Sequence, residues 1–259
     1  MNDTTRFCQA ALWLLLFYLS MLFSGCASLT PAVDPGLTEK AEAMARNAKN
    51  INRDILSSKG TGRVRIITET DTQAYKFAWA AAFPNKIRIT FMVSGLPVET
   101  VVATGSRVSF ISHTGSHKPY TTQAKDPDMN EMIKVPVRLS ELVALLLGRL
   151  PLKPYDAAAF SSGDPSMKTI RLRKYWSGTR QTLFLDRDNQ PAGLDTTGPE
   201  GGLLYDLDII SVKNVDSHAI PSRIEMSDGG QRRISLTLLH IQVNPDIKES
   251  VFRLTAKGS

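Results

Sequence analysis

Histidines and paired carboxylates are the residues in this chain that could do chemistry. The four histidines are His113, His117, His218 and His240. His113 and His117 share the segment His113-Thr114-Gly115-Ser116-His117, where a turn would bring two imidazoles together. A metal site needs three or four ligands, and no carboxylate or thiol stands near this pair in sequence. Neither a metal nor another cofactor is expected. Asp206 and Asp208 lie two apart on one strand face, a spacing that would let one carboxyl act as acid and the other as base. Opposite Tyr205 and Leu207, the same pair reads as a solvated outer face. Asp186 and Asp188 read as turn residues. The sequence holds no His-Glu-x-x-His, no Gly-x-Ser-x-Gly and no phosphate-cradling glycine loop. No catalytic residue is assigned, and an enzyme is not expected.

The two cysteines, Cys8 and Cys26, point to a different chemistry. Arg6 is followed by an apolar run from Ala10 to Phe23 and then Ser24-Gly25, the layout of a secretory signal over residues 1–25. The run is short of the roughly 20 residues that span a bilayer comfortably. The segment Leu22-Phe23-Ser24-Gly25-Cys26 resembles the lipobox of bacterial lipoproteins, although leucine stands four places before the cysteine instead of three. The resemblance implies that Cys26 is acylated and becomes the first residue, with 26–36 as a lipidated tether. Cys8 would be discarded, which leaves no disulfide despite an oxidising compartment. Acyl chains on one cysteine give stable anchoring, since two lipid signals suffice. Ala27-Ser28 in place of an aspartate after the cysteine implies the outer membrane, with the domain facing the periplasm.

The formal net charge is +6, and Asp3 and Arg6 in the signal cancel. The basic residues Arg63, Arg65, Lys76, Arg88, Arg171 and Arg173 are spread through strand-like runs as an ordinary solvated face. No basic block of the nucleic-acid type occurs, so no nucleic acid is expected as a partner. Hydrophobic residues make up 42% of the chain, enough to build a core.

The elements that position these residues are mostly strands. Residues 37–259 read as one domain. Thr38 to Leu56 reads as a helix with Leu37, Ala41, Met44, Ala48, Ile51 and Ile55 on one stripe, Thr38 as its cap and Lys59-Gly60 at its end. A five-strand antiparallel meander follows, with Tyr75, Phe77, Trp79, Ala81 and Phe83 alternating with Lys76 and small alanines. Its central hairpin is Ile87 to Val102. Ile87, Ile89, Phe91 and Val93 share one face, and the connection carries Leu96, Pro97 and Val98 where hairpin tips normally carry polar residues. A helical insert near 128–148 contains Asp128–Lys134 and Ser140–Leu147, the latter capped by Ser140 and closed by Gly148. Strands resume around Ile170, Leu183, Tyr205–Ile209, Arg223–Met226 and Arg232–Val243. Asp228-Gly229-Gly230 makes a hairpin turn, and Leu238-Leu239 marks a bulge. Asp186 to Gly202 is rich in turn formers. Val251, Phe252 and Leu254 are placed to dock a terminal segment. The fold class is mainly β: a single half-open antiparallel barrel of about ten or eleven strands, with a short helical lid and an N-terminal helix.

Such a sheet, with Phe77, Trp79, Ile89 and Phe91 inside and Leu142 and Leu146 of the lid over them, either encloses an acyl pocket or fills a close-packed core. The residues alone leave both open. Three stretches resemble the LolA/LolB family of lipoprotein carriers and receptors, and most of all its outer-membrane branch, LolB. They are Pro221 to Arg232 with Asp228-Gly229-Gly230-Gln231-Arg232, Val135 to Pro151 around the lid helix, and the hairpin with Leu96 in the place of the family's exposed leucine. The resemblance runs in order from about Gly60 to Val243. The tip Ser94-Gly95-Leu96-Pro97 departs from the family's Asn-Pro-Leu-Gly. The resemblance implies a monomer that takes lipoprotein acyl chains from a LolA-type periplasmic carrier. Leu96, with Pro97 and Val98, would touch outer-membrane lipids as the cargo is released. The alternative is a scaffolding envelope lipoprotein with a filled core. A third reading, an envelope hydrolase, would rest on Asp206 and Asp208.

Overall fold

The computed structural model describes residues 35–130, 134–161, 168–230 and 232–254. The expected signal, most of the tether with Cys26, Met132 and Ile133 of the first insert helix, and Gln231 lie outside the described residues.

Helix α1 runs Pro35–Asn50, three residues ahead of the expected start, and Thr38 lies within it. Proline suits the first helical position because its missing N–H would have no partner there. The helix stops six residues before Leu56. Asn52 takes a left-handed φ of 55°, and its side-chain amide donates to the carbonyls of Gly148 at 2.7 Å and Ala219 at 2.9 Å. That turn sends the chain into β1 (Ser57–Ile67), so Lys59-Gly60 belongs to a strand and does not end the helix. Ala41, Ala45, Ala48 and Ile55 are buried, while Leu37 is exposed.

The remaining strands are β2 (Thr72–Ala82), β3 (Lys86–Val93), β4 (Leu96–Thr104), β5 (Arg107–Ser112), β6 (Tyr120–Gln123), β7 (Ala157–Ser161), β8 (Lys168–Arg173), β9 (Arg180–Leu185), β10 (Pro191–Thr197), β11 (Leu203–Val215), β12 (His218–Ser227) and β13 (Arg233–Val243). They form one antiparallel sheet in the order β6-β5-β4-β3-β2-β1-β13-β12-β11-β10-β9-β8-β7. Every neighbour is sequential except the pair β1 and β13, which joins the two halves. The edges β6 and β7 do not pair, so the sheet stays open. The sheet has thirteen strands among the described residues, against the ten or eleven expected, and three of them are not marked by alternation. β6 is four residues long, β7 is mostly alanine, and β10 lies in the glycine-rich stretch read as turns. Edge strand β7 packs against α1, where small side chains let the two backbones approach.

Two irregularities follow the sequence. In the β1–β13 ladder Thr61 faces His240 and Gly62 faces Leu238, so Leu239 is the bulged residue. A 3-10 turn at Glu249–Phe252 docks Phe252 into a buried position beside β3 and β4, and the Arg88 guanidinium donates to the Val251 carbonyl at 3.3 Å.

Residues 124–156 connect the two sheet edges and carry helix α2 (Leu139–Leu146). Arg138 is its N-cap, and Ser140 lies inside the first turn instead of capping it. The Pro127 carbonyl takes the Leu139 N–H at 2.9 Å, and carboxylates meet two further donors at this end. Asp126 accepts the Ser140 N–H at 2.7 Å and its hydroxyl at 3.0 Å, and Glu141 accepts the Arg138 N–H at 2.8 Å. Gly148, with φ of 73°, closes the helix as expected. Leu139, Leu142, Val143, Leu145 and Leu146 join one hydrophobic cluster with the inward residues of strands from both halves of the sheet. No described helix is long and apolar enough to cross a membrane.

Candidate functional site

The β3–β4 hairpin turns on two residues, Ser94 (φ 52°) and Gly95 (φ 83°). Two consecutive positive φ values make the primed turn whose twist suits a hairpin. Leu96 is therefore the first residue of β4, facing Val93 across the ladder, and not the tip itself. A bulge follows: Phe91 faces Glu99 and Met92 faces Pro97, which leaves Val98 extra. The β5 ladder reaches only as far as Glu99. Leu96 and Pro97 thus project past their neighbour, where proline's missing N–H costs no ladder bond. Leu96 is 71% exposed and Val93 45%. Pro97 is exposed and Val98 half-buried.

Under this hairpin lies a notch of about 590 Å³ lined by Tyr75, Phe91, Val93, Val98, Phe110 and Tyr120. Its size falls in the range of about 300–1,000 Å³ typical of small-molecule sites. Tyr75 meets Phe91 edge-on at 6.0 Å, and Phe110 stacks on Tyr120 at 4.8 Å. His117 sits on the rim of the notch with both Glu99 oxygens 3.1 Å from Nε2. The expectation that this histidine has no carboxylate near it is corrected: the β4–β5 ladder and the following turn bring Glu99 to it across eighteen residues. The bond to the Lys118 carbonyl, helped by Glu99, raises the His117 pKa above its usual value of 6.5. His113 instead bonds the Thr100 hydroxyl at 2.9 Å. Among the described residues no cluster of three His, Cys, Asp or Glu side chains could hold a metal.

Phe77, Trp79, Ile89, Leu142 and Leu146 are all buried, and Phe91 is half-buried in the notch. Two glycines on β1 make room for the aromatic pair. Gly60 faces Trp79 and Gly62 faces Phe77. A Cβ on Gly60 would lie 2.5 Å from the Trp79 ring, and one on Gly62 2.6 Å from the Phe77 ring. The Trp79 indole N–H donates to the Ser58 hydroxyl at 3.0 Å, and that hydroxyl donates to the Leu146 carbonyl at 2.7 Å. A helix-end carbonyl that lacks an intrahelical partner is thereby satisfied by the sheet. This relay is the missed part of the site, because nothing in the sequence links Ser58 to Leu146. In this arrangement α2 occupies the space that the lining residues surround.

Asp206 and Asp208 lie on the outer face, as Tyr205 and Leu207 point inward. Their unforeseen neighbour is Asp195, paired with Asp206 through β10. Partial burial raises its pKa, and Asp206 and Asp208 add to the shift. No signal in the sequence reveals this contact, since β10 reads as turns.

An open antiparallel sheet wrapped around a short helix defines the class of fold. Solved structures that share it include a LolA superfamily protein from Nitrosomonas europaea, with 13% identity, coverage of 83% of this chain and 97% of that one, and a TM-score of 0.58. A DUF1329 family protein from Desulfovibrio piger aligns over 84% and 97% at 8% identity with a TM-score of 0.59. A domain assigned to outer membrane lipoprotein sorting, from Vibrio parahaemolyticus, aligns over 83% and 96% at 10% identity with a TM-score of 0.58. At these identities the likeness is one of fold alone, and it does not single out LolB. No family model matches the sequence, and no curated protein matches it.

Proposed function

We propose that this chain is a lipid-binding envelope lipoprotein, acylated at Cys26 and held on the outer membrane, facing the periplasm. It takes lipoprotein acyl chains from a LolA-type carrier and inserts them into the outer membrane. The observation that carries this reading is the β3–β4 hairpin, an apolar end with Leu96 71% exposed beside an aromatic notch. The shared fold with a LolA superfamily protein and a lipoprotein-sorting domain supports it. Acyl chains bind by burial, at about 0.8 kcal/mol per CH₂. They start in the notch at Phe91 and reach Phe77, Trp79 and Ile89 when α2 moves out. Leu96→Glu places a charge where the hairpin would meet lipid. The variant is expected to fold normally, retain acyl binding and fail to insert cargo into liposomes. Normal insertion would refute the role of Leu96.

The filled interior favours a second reading, a scaffolding lipoprotein in which α2 is permanent core. A photocrosslinker at Phe91 separates the two. Recovery of attached acyl chains from cells supports transfer, and a clean protein supports the scaffold.

A further inference from the structure

A second and larger groove, about 1000 Å³, lies away from the hairpin, between α1, the outer side of the 124–156 connection and the β8–β9 turn. Seven cationic side chains line it against two carboxylates, Asp126 and Glu141. Both carboxylates are already engaged. Asp126 holds the first turn of α2, and Glu141 accepts from the Arg138 N–H, from Lys153 at 3.3 Å and from the Tyr205 hydroxyl at 3.3 Å. Arg46 and Lys174 pair with Glu42 and Asp156. Lys49, Arg53, Arg138 and Arg149 have no carboxylate within salt-bridge distance among the described residues.

Arg149 is held rigid. Its guanidinium donates to the carbonyls of Asn52, Arg53 and Ile55 and lies over the exposed Phe83 ring at 5.0 Å. Lys49 sits over the Tyr155 ring at 5.6 Å. The floor between them is apolar, with Leu150, Pro151, Leu152 and Pro154. The fixed Arg149 and the exposed cations Lys49 and Arg53, beside an apolar floor, complement a ligand that joins an anionic head to an apolar tail. Guanidinium groups match phosphate oxygens in geometry as well as charge.

We infer that this groove binds the phosphate head of an anionic amphiphile, with Lys49, Arg53 and Arg149 on the phosphate and Phe83 and Leu150 along the first part of the tail. The inference does not rest on the hairpin's role, and its failure would leave that role untouched.

The test is calorimetric titration of the full chain in a neutral detergent with three probes: dihexanoyl phosphatidylglycerol, dihexanoyl phosphatidylcholine and glycerol phosphate. Phosphatidylglycerol is expected to bind at least about tenfold more tightly than the other two, and less tightly as salt rises. The double variant K49E/R53E reverses two exposed charges and is expected to lose about tenfold or more in that affinity. Reversal of two cations outside the groove, R65E/K213E, is expected to change nothing. Equal binding of phosphatidylglycerol and phosphatidylcholine would overturn the anionic site. Glycerol phosphate binding as tightly as phosphatidylglycerol would overturn the amphiphile in favour of free phosphate esters. An equal loss in both double variants would overturn the location.

Discussion

Replacing Ser58 with alanine removes one hydroxyl and breaks two buried hydrogen bonds at once. Ser58 is 1% exposed and Trp79 4%. The Trp79 N–H and the Leu146 carbonyl would both lose the Ser58 hydroxyl, and neither is open to water. Each orphaned group costs about 1–3 kcal/mol, so the variant should lose roughly 2–6 kcal/mol. Against a typical total of about 5–15 kcal/mol, that is a large fraction. In a Trp79→Phe background only the carbonyl is left orphaned, so the same substitution should cost about 1–3 kcal/mol less. Urea unfolding followed by circular dichroism gives the four stabilities of the cycle. Hydrogen exchange locates the loss: amides at the C-terminal end of α2, Leu145 to Gly148, should exchange faster, while those of β8 and β9 keep their local protection. If α2 is a lid, Ser58→Ala should also take up acyl chains faster. A cost below about 0.5 kcal/mol, or equal costs in the two backgrounds, would refute the relay as the fastening of α2.

Two further predictions concern packing and pH. Gly60→Ala places a Cβ 2.0 Å from the His240 carbonyl and 2.5 Å from the Trp79 ring. It should cost about 3 kcal/mol or more. Gly95→Ala meets nothing within 4 Å and pays only for its left-handed φ, about 1–2 kcal/mol. Thermal melts that rank the two equally would contradict the close approach of β1 and Trp79. For pH, His117 is raised above 6.5 by its bond to the Lys118 carbonyl and by Glu99, and His218 by Asp54, 2.7 Å away. Raised histidine pKa values mean that the folded state holds these protons more tightly than the unfolded chain. Their stabilisation is therefore complete below about pH 6.5 and lost as pH rises through the folded values. NMR titration should place both midpoints above 6.5, and Asp54→Asn should lower only that of His218; midpoints at or below 6.5 would contradict these contacts.

Much of the architecture is legible in the residues. The alternation from Tyr75 to Ala81 and from Ile87 to Phe91 sets which face turns inward, because a strand's period of two leaves no choice once one face is apolar. The Leu238-Leu239 bulge and the Asp228-Gly229-Gly230 turn are local events and stand where their residues indicate. Strands β6, β7 and β10 are not legible. Their residues are polar, alanine-rich or glycine-rich, and each becomes a strand only because a neighbouring backbone offers a ladder. The end of α1 is misplaced for the same reason. The stripe of apolar residues continues past Asn50, but Asn52 finds carbonyls at Gly148 and Ala219 that no local pattern reveals.

The residues alone establish a mainly antiparallel sheet with an apolar face, a leucine-rich helix that must cover something apolar, and a hairpin whose connection carries apolar residues, suited either to burial under another element or to a non-aqueous partner. These follow from period, turn type and composition, which act over a few residues. Packing between distant segments fastens α2 to Trp79 through Ser58 and brings cations from three separate elements to one groove, while the β3–β4 and β4–β5 ladders place Leu96 at the start of a strand past the end of β5. The first two are contacts between residues far apart in the chain. They exist because β1 pairs with β13 and draws both halves of the sheet around α2, and no spacing within either half encodes that pairing.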